Sequence, residues 1–297
     1  MKFKSGFVTI IGRPNVGKST LLNAIIGQKI SAISNKAQTT RDKITLIHTD
    51  EDSQIIFLDT PGIQMPKNKL GDFMLKTSED TLSEVDVITY IVDCSEKIGK
   101  MDSYIINELK EKKLKAPIIL LINKVDEIQK EKLFEIIKMY DEIGIFKEII
   151  PISALKRDGI ENYIEVLKKY LSEGPMFYPE DMITDKPEKY IVSEIIREKA
   201  LRFLDEEIPH GIAVSIESMK ERTDKNLMDI QANIYVERES HKKIVIGKSG
   251  SMLKKIGTNA RKEIENLLDM KVNLTLWVKV EKNWRDKENK VKYFGYK

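Results

Sequence analysis

Gly12-Arg13-Pro14-Asn15-Val16-Gly17-Lys18-Ser19 is the stretch whose reading decides the fold. It fits G-x-x-x-x-G-K-[S/T], follows the apolar run 7–11 and precedes a helix-forming stretch, 20–26, closed by Gly27. In that strand-loop-helix setting the pattern reads as a phosphate-binding loop. Its glycines let backbone N–H groups turn inward on phosphate oxygens, and the helix N-terminus adds positive potential. Lys18 is placed to reach the β and γ phosphates, and the Ser19 hydroxyl to ligate Mg²⁺.

Working outward, apolar runs at 55–58, 87–92, 118–122 and 148–152 are separated by helix-like segments. This pattern predicts a parallel sheet covered on both faces. Residues 45–48 lie too close before Ile55 for a crossover helix, which predicts an antiparallel neighbour. The first domain is therefore α/β, doubly wound with a mostly parallel sheet, over residues 1–172. Gly174, Pro175, Pro179 and Pro187 punctuate a polar stretch, so 173–187 reads as a linker. Beyond it Val192, Ile196, Ala200 and Phe203 keep helical spacing. Strict alternation follows at 212–216 and 230–236, helical spacing returns at 253–267, and alternation again at 272–280, with room for a short helix at 240–246. The order α-β-β-α-α-β over 188–297 predicts a smaller α+β domain.

The length of 297 residues suits two domains, and 41% hydrophobic with 33% charged residues excludes disordered and fibrous classes. A single cysteine, Cys94, rules out an internal disulfide or a cysteine-rich zinc site and suits a reducing cytoplasm. The longest apolar runs reach five residues, as at 118–122, against the roughly 20 that cross a bilayer. Residues 7–11 are also too short for a signal-peptide core. His48, His210 and His241 show no metal-ligand spacing, and Met65, Met74 and Met176 read as gap fillers.

Asn123-Lys124-Val125-Asp126, directly after the 118–122 run, resembles the guanine-reading N-K-x-D element of GTPases. There Asp126 accepts from the guanine N1–H and amino group. Adenine offers no such pair of donors, so a buried carboxylate would reject it. By the same resemblance Asn123 braces the loop, Lys124 lies along the base, and Ser153-Ala154-Leu155 offers backbone to the guanine carbonyl. Asp59-Thr60-Pro61-Gly62 looks like the D-x-x-G switch, with Asp59 holding Mg²⁺ through water and the Gly62 N–H sensing the γ-phosphate. Gln38-Thr39-Thr40-Arg41 resembles the first switch; Thr40 is the preferred Mg²⁺ ligand and Thr39 the reserve. The guanine-nucleotide site is thus Gly12, Arg13, Pro14, Asn15, Val16, Gly17, Lys18, Ser19, Thr20, Asp59, Thr60, Pro61, Gly62, Ile63, Asn123, Lys124, Val125, Asp126, Ser153, Ala154 and Leu155.

Where many GTPases carry a catalytic glutamine after D-x-x-G, this chain has Ile63, and Gln64 is one residue late. The chain resembles the GTPases with a hydrophobic substitute, among which Asn15 in G-x-P-N-V-G-K-S is associated with K⁺ beside the phosphates. Lys18, Asn15, Thr40 and Gly62 are the expected catalytic groups, with K⁺ stimulation expected.

Gly247-Lys248-Ser249-Gly250, preceded by Ile246, matches the G-x-x-G loop of KH domains, where backbone approaches a nucleic-acid strand. Residues 238–262 hold eight Lys/Arg, among them Lys242, Lys243, Lys254, Lys255 and Arg261, against the single acid Glu239, although the whole chain is only +3. A basic stripe beside such a loop is an electrostatic footprint for RNA. Single-stranded bases are expected between the 253–267 helix and the 230–236 strand. Trp284, Tyr293, Phe294 and Tyr296 in the tail suit either base stacking or packing back on the domain.

With these elements in this order, the chain resembles the Era family of bacterial GTPases over essentially its whole length. Asn283-Trp284-Arg285 and Phe294-Gly295-Tyr296 also resemble that family. The resemblance implies a P-loop GTPase domain followed by a type II KH domain, using GTP/GDP, Mg²⁺ and K⁺. It implies binding to the 3′ end of 16S rRNA, action in 30S subunit assembly and some peripheral membrane association; a cytoplasmic monomer is expected. GTP and Mg²⁺ would order the 28–43 and 59–69 loops and raise RNA affinity, and RNA would reciprocally raise GTP affinity. The rival reading docks the basic C-terminal domain on a protein or anionic membrane instead of RNA.

Overall fold

Runs rich in β-branched residues form the first sheet: β1 (Lys4–Ile11), β2 (Ile44–Thr49), β3 (Ser53–Asp59), β4 (Val87–Asp93), β5 (Ile118–Asn123), β6 (Glu148–Ile152) and the two-residue β7 (Ser172–Glu173). The structure, a computed structural model, describes residues 2–34, 36, 39–63, 66–112, 114–222 and 224–296. The strand order is β2-β3-β1-β4-β5-β6, parallel except for β2 against β3, with β7 antiparallel to β1. The expected antiparallel neighbour is therefore β2. Helices α1 (Lys18–Ile26), α2 (Lys69–Thr81), α3 (Lys100–Glu111), α4 (Lys130–Asp141) and α5 (Ile160–Tyr170) alternate with the strands. Val8, Ile10, Ile55, Phe57, Ile88, Tyr90, Leu120 and Ile122 are fully buried, each such side chain contributing about 1.5–3 kcal/mol. The segments after β1, β3, β5 and β6 emerge at the carboxyl ends of their strands, where α/β sheets bind ligands.

The stretch read as a linker, 173–187, is held to the first unit as far as Asp185. The buried Gln54 amide accepts from the Phe177 and Tyr178 N–H groups (2.8 and 3.0 Å) and donates to the Tyr178 carbonyl (2.9 Å). Ile47 N–H donates to Ile183 O at 2.9 Å, and the Thr184 hydroxyl to Thr45 O at 2.7 Å. Prolines stop helices and ladders, but they leave extended backbone free to bond with a polar side chain. Residues 32–39 and 67–73, in turn, group with the second unit.

The second unit runs α6 (Glu188–Phe203), β8 (Ala213–Arg222), β9 (Leu227–Val236), α7 (Glu239–Ile246), α8 (Ser251–Leu268), β10 (Lys271–Val280) and α9 (Glu288–Tyr293). This is the expected α-β-β-α-α-β order followed by a tail. Its sheet is ordered β10-β9-β8, with β10 parallel and β8 antiparallel to the central β9. Ile256, Ala260 and Ile264 of α8 and Ile230, Ala232 and Ile234 of β9 are fully buried. The tail aromatics pack back: Trp284 is fully buried, donates to Gly211 O at 2.8 Å, and lies 4.9 Å from the Phe294 ring and 6.1 Å from that of Tyr296. Tyr293 stays exposed.

Charged residues of α6 also go inside. Arg197 pairs with Glu194, and Lys199 with Glu198 (2.9 Å) and Glu263. Within this unit the Arg197 guanidinium donates to Thr39 O, Glu198 accepts the Ile33 N–H at 2.9 Å, and Lys36 bonds Asp205 at 2.8 Å. These pairs satisfy charges that burial would otherwise penalise.

Candidate nucleotide site and nucleic-acid groove

The P-loop follows β1 through backbone shapes that its residues make possible. A Cβ on Gly12 would lie 2.4 Å from Ile91 O, and one on Gly17, at φ +106°, 2.2 Å from Asn123 Nδ2. Asn15 is exposed and left-handed at φ +69°. No side chain caps the N-terminus of α1, which leaves its N–H groups to the loop. Lys18 is 6% exposed and donates to Gly12 O (3.0 Å) and Arg13 O (3.1 Å). Its Nζ sits close against Gly62, 3.2 Å from where a Cβ would be. Burial pushes the Lys18 amine down to about 8, opposed by the buried Asp59 carboxylate and assisted by the Arg13 charge.

The Ser19 and Thr40 hydroxyls lie 3.2 Å apart. Thr39 instead donates its hydroxyl to Lys36 O at 2.6 Å. Two adjacent hydroxyls are hard-oxygen donors of the kind that suits Mg²⁺, and the buried Asp59 carboxylate acts on the Lys18 amine. Gln38, Gln64 and Met65 lie outside the described residues. Arg41 is buried.

The side chains of several expected site residues are engaged outside the loop. The Arg13 side chain turns to Asp93 (2.5 Å), Asp102 (3.0 Å) and Ser95 (3.3 Å). Burial works against ionisation of Asp93, but Ser95 and Arg13 hold its carboxyl below the usual range. Asp102 accepts a second bond from the buried Tyr90 hydroxyl at 2.8 Å. The Thr60 hydroxyl donates to Ile10 O at 3.2 Å, and the Pro61 carbonyl accepts from Ser78 at 2.9 Å. Ile63 points into the apolar core with Ile11, Leu82 and Ile105, while its N–H reaches Gly12 O at 3.3 Å. Pro14 and Thr20 are half-buried, and Val16 is fully buried.

At the base-reading end, Asn123 donates to Val16 O (2.8 Å) and accepts the Ala154 N–H (2.9 Å), tying the P-loop to the segment after β6. Lys124 is left-handed at φ +70°, Val125 is half-buried, and Ser153 accepts the Lys156 N–H at 3.1 Å. Asp126 is exposed, and Leu155 is 73% exposed. Sequence reasoning missed Asp93, Ser95 and Asp102; an arginine inside the P-loop was the signal that acids should be sought near it.

In the second unit Gly247 (φ +75°) and Gly250 (φ +78°) frame Lys248 and Ser249 and lead into α8. A groove of about 340 Å³ opens there between Leu253, Lys254, Thr258 and Arg261 of α8 and Leu274 and Leu276 of β10. Its far wall is β10, not the expected 230–236 strand, because β9 is central and covered. Lys243 on α7 is exposed; Lys242 and Ile246 are half-buried. The Lys255 amine lies 4.4 Å from the Phe203 ring centre and so turns toward α6.

A P-loop GTPase domain followed by a KH domain is the class that this fold and these two sites define. The sequence matches the 50S ribosome-binding GTPase family over residues 7–124 and the KH domain family over 207–285. The chain is 56% identical to GTPase Era of Clostridioides difficile over 295 residues, 99% of each, and 53% identical to GTPase Era of Alkaliphilus metalliredigens over all of both. The crystal structure of Era in complex with MgGDPNP and nucleotides 1506–1542 of 16S ribosomal RNA is similar with a TM-score of 0.94, at 43% identity over 99% of each chain. An Aquifex aeolicus Era variant bound to GDP and aluminium fluoride is similar to the same degree, with a TM-score of 0.94 and 43% identity over 99% of each chain. The chain belongs to the GTPase Era family and is a GTP hydrolase. Among the described residues no helix is long and apolar enough to cross a membrane.

Proposed function

We propose that the chain is a GTP-driven switch that binds the 3′ end of 16S rRNA through its KH groove and acts in 30S subunit assembly. The observation that carries the nucleotide half is the meeting of the Ser19 and Thr40 hydroxyls next to the buried Lys18 of the P-loop. In this reading Lys18 moves from the Gly12 and Arg13 carbonyls to the β and γ phosphates, and the Gly62 N–H bonds the γ-phosphate. Ser19, Thr40 and, through water, Asp59 hold Mg²⁺, which when bound neutralises phosphate charge. Asp126 becomes buried only under a base, so guanine pairs it and adenine leaves it unpaired.

Ile63 lies in the core, so no side chain at that position orients water. Hydrolysis then rests on charge placed around the phosphates, and Asn15, exposed in the P-loop, is the group we assign to K⁺ there. On the RNA side, Lys254 and Arg261 attract phosphates while the G-x-x-G backbone approaches the strand. The setting supposed is a cytoplasmic monomer with peripheral membrane contact.

Phosphate release measured with GTP and ATP, in KCl and in NaCl, tests the enzyme half. GTP-selective turnover that is faster in K⁺ and loses that advantage in Asn15→Ala is expected. Equal rates in both salts sink the K⁺ role, and ATP turnover equal to GTP sinks the role of Asp126. An RNA association that falls with salt and ignores base sequence would favour the protein or membrane rival.

A further inference from the structure

Strand alternation gives β10 two different faces. Leu274 and Leu276 face the groove under α8, whereas Trp277 faces outward and is 44% exposed. Thr275 and Lys279, two residues to either side, are exposed with it. Across the sheet its register partner is Asn233, which is buried. The tail packs on a neighbouring position of that face, where the Phe294 ring lies 4.8 Å from that of Tyr235. The other tryptophan, Trp284, is fully buried in that same tail. Trp277 keeps nearly half of its surface in solvent, and β10 ends the sheet order, so the groove and the Trp277 face meet around one strand.

We propose that Trp277 is a stacking platform for a base of the single-stranded RNA that leaves the α8–β10 groove and turns around the edge of the sheet. The inference rests on the groove being the RNA site, and extends that site to the opposite face of β10. Continuity favours RNA over a protein partner, because adjacent residues of one strand, Leu276 and Trp277, contribute to both surfaces. The recognition is by ring stacking on the exposed indole. Stacking on an aromatic face tolerates any base, so this position would lengthen the footprint without adding sequence preference.

The test uses the full chain and fluorescein-labelled RNA copying the 3′ end of 16S rRNA, with versions extended by two nucleotides at either end. Because Trp284 is shielded, the emission difference between wild type and Trp277→Phe isolates Trp277. Saturable quenching of that emission by one extended RNA is expected, together with about fivefold or greater loss of affinity in Trp277→Ala and retention in Trp277→Phe. Replacing the outermost base of that RNA by an abasic site should abolish the difference between wild type and Trp277→Ala. Unquenched emission with wild-type affinity in Trp277→Ala overturns the inference. Arg261→Glu separates the two readings: RNA binding lost there but intact in Trp277→Ala sinks the platform alone, and RNA binding intact in Arg261→Glu sinks the groove.

Discussion

Replacing Asp102 by alanine should loosen the P-loop from a distance. The carboxylate, 3% exposed, accepts from the Tyr90 hydroxyl at 2.8 Å and from Arg13 Nε at 3.0 Å. Its removal strands the buried Tyr90 hydroxyl, at a cost of about 1–3 kcal/mol. Arg13 also loses one of two carboxylates. A fully buried pair broken in this way costs about 3–5 kcal/mol, but the Arg13 side chain is 26% exposed and keeps Asp93, so about 1 kcal/mol is the larger share to expect from it. The total is about 2–4 kcal/mol from the first unit. Urea unfolding of the full chain, followed by a probe in the first unit, reads that loss, and GDP titration should show affinity reduced about tenfold, or 1.4 kcal/mol. A double-mutant cycle with Arg13→Ala should return a coupling of about 1 kcal/mol. A stability change under about 0.5 kcal/mol with unchanged GDP affinity, or zero coupling, would refute the reasoning.

The remaining expectations are more direct. Phosphate oxygens would raise the Lys18 pKa above its value of about 8, so nucleotide binding takes up a proton above that pH. GDP affinity should then be flat below pH 8 and weaken by up to about tenfold per unit above it; calorimetry in buffers of different ionisation enthalpy counts the proton, and none taken up at pH 9 contradicts the assignment. Thr40→Ala should raise the Mg²⁺ concentration needed for half-maximal hydrolysis, and Thr39→Ala should not, since the Thr39 hydroxyl is spent on Lys36 O. Arg197→Met leaves Glu194 buried without its cation and should destabilise the second unit by about 3 kcal/mol or more in chemical denaturation. Trp284→Ala removes a fully buried indole and its bond to Gly211 O; a loss of about 3–5 kcal/mol is expected, and a loss below 1 would show that the tail is not part of that core.

The strand-loop-helix of the P-loop, the antiparallel β2 and the α-β-β-α-α-β order were legible because apolar periodicity and glycine placement record them directly. Asn123 was readable as a brace because its motif follows a strand end, and it spans from Val16 O to the Ala154 N–H. What periodicity cannot carry is tertiary pairing of polar groups. Gln54 holding residues 177–178, Asp102 holding Arg13, and the ion pairs of α6 all use residue types that composition assigns to solvent. The groove wall was misplaced for a related reason: spacing identifies strands but not their order, and β9 is central. The tail was ambiguous because aromatic residues suit both a core and a base stack, and only Trp284 burial decides for packing.

Fluorescence anisotropy with RNA copying the 3′ end of 16S rRNA, beside a scrambled RNA, in GDP and in a non-hydrolysable GTP analogue, tests the central claim most directly. Tight binding of the native RNA in the analogue, with weaker binding in GDP and to the scrambled strand, is the expected result. Equal binding of both RNAs in both nucleotides would contradict it, leaving a GTPase whose basic groove is general electrostatics.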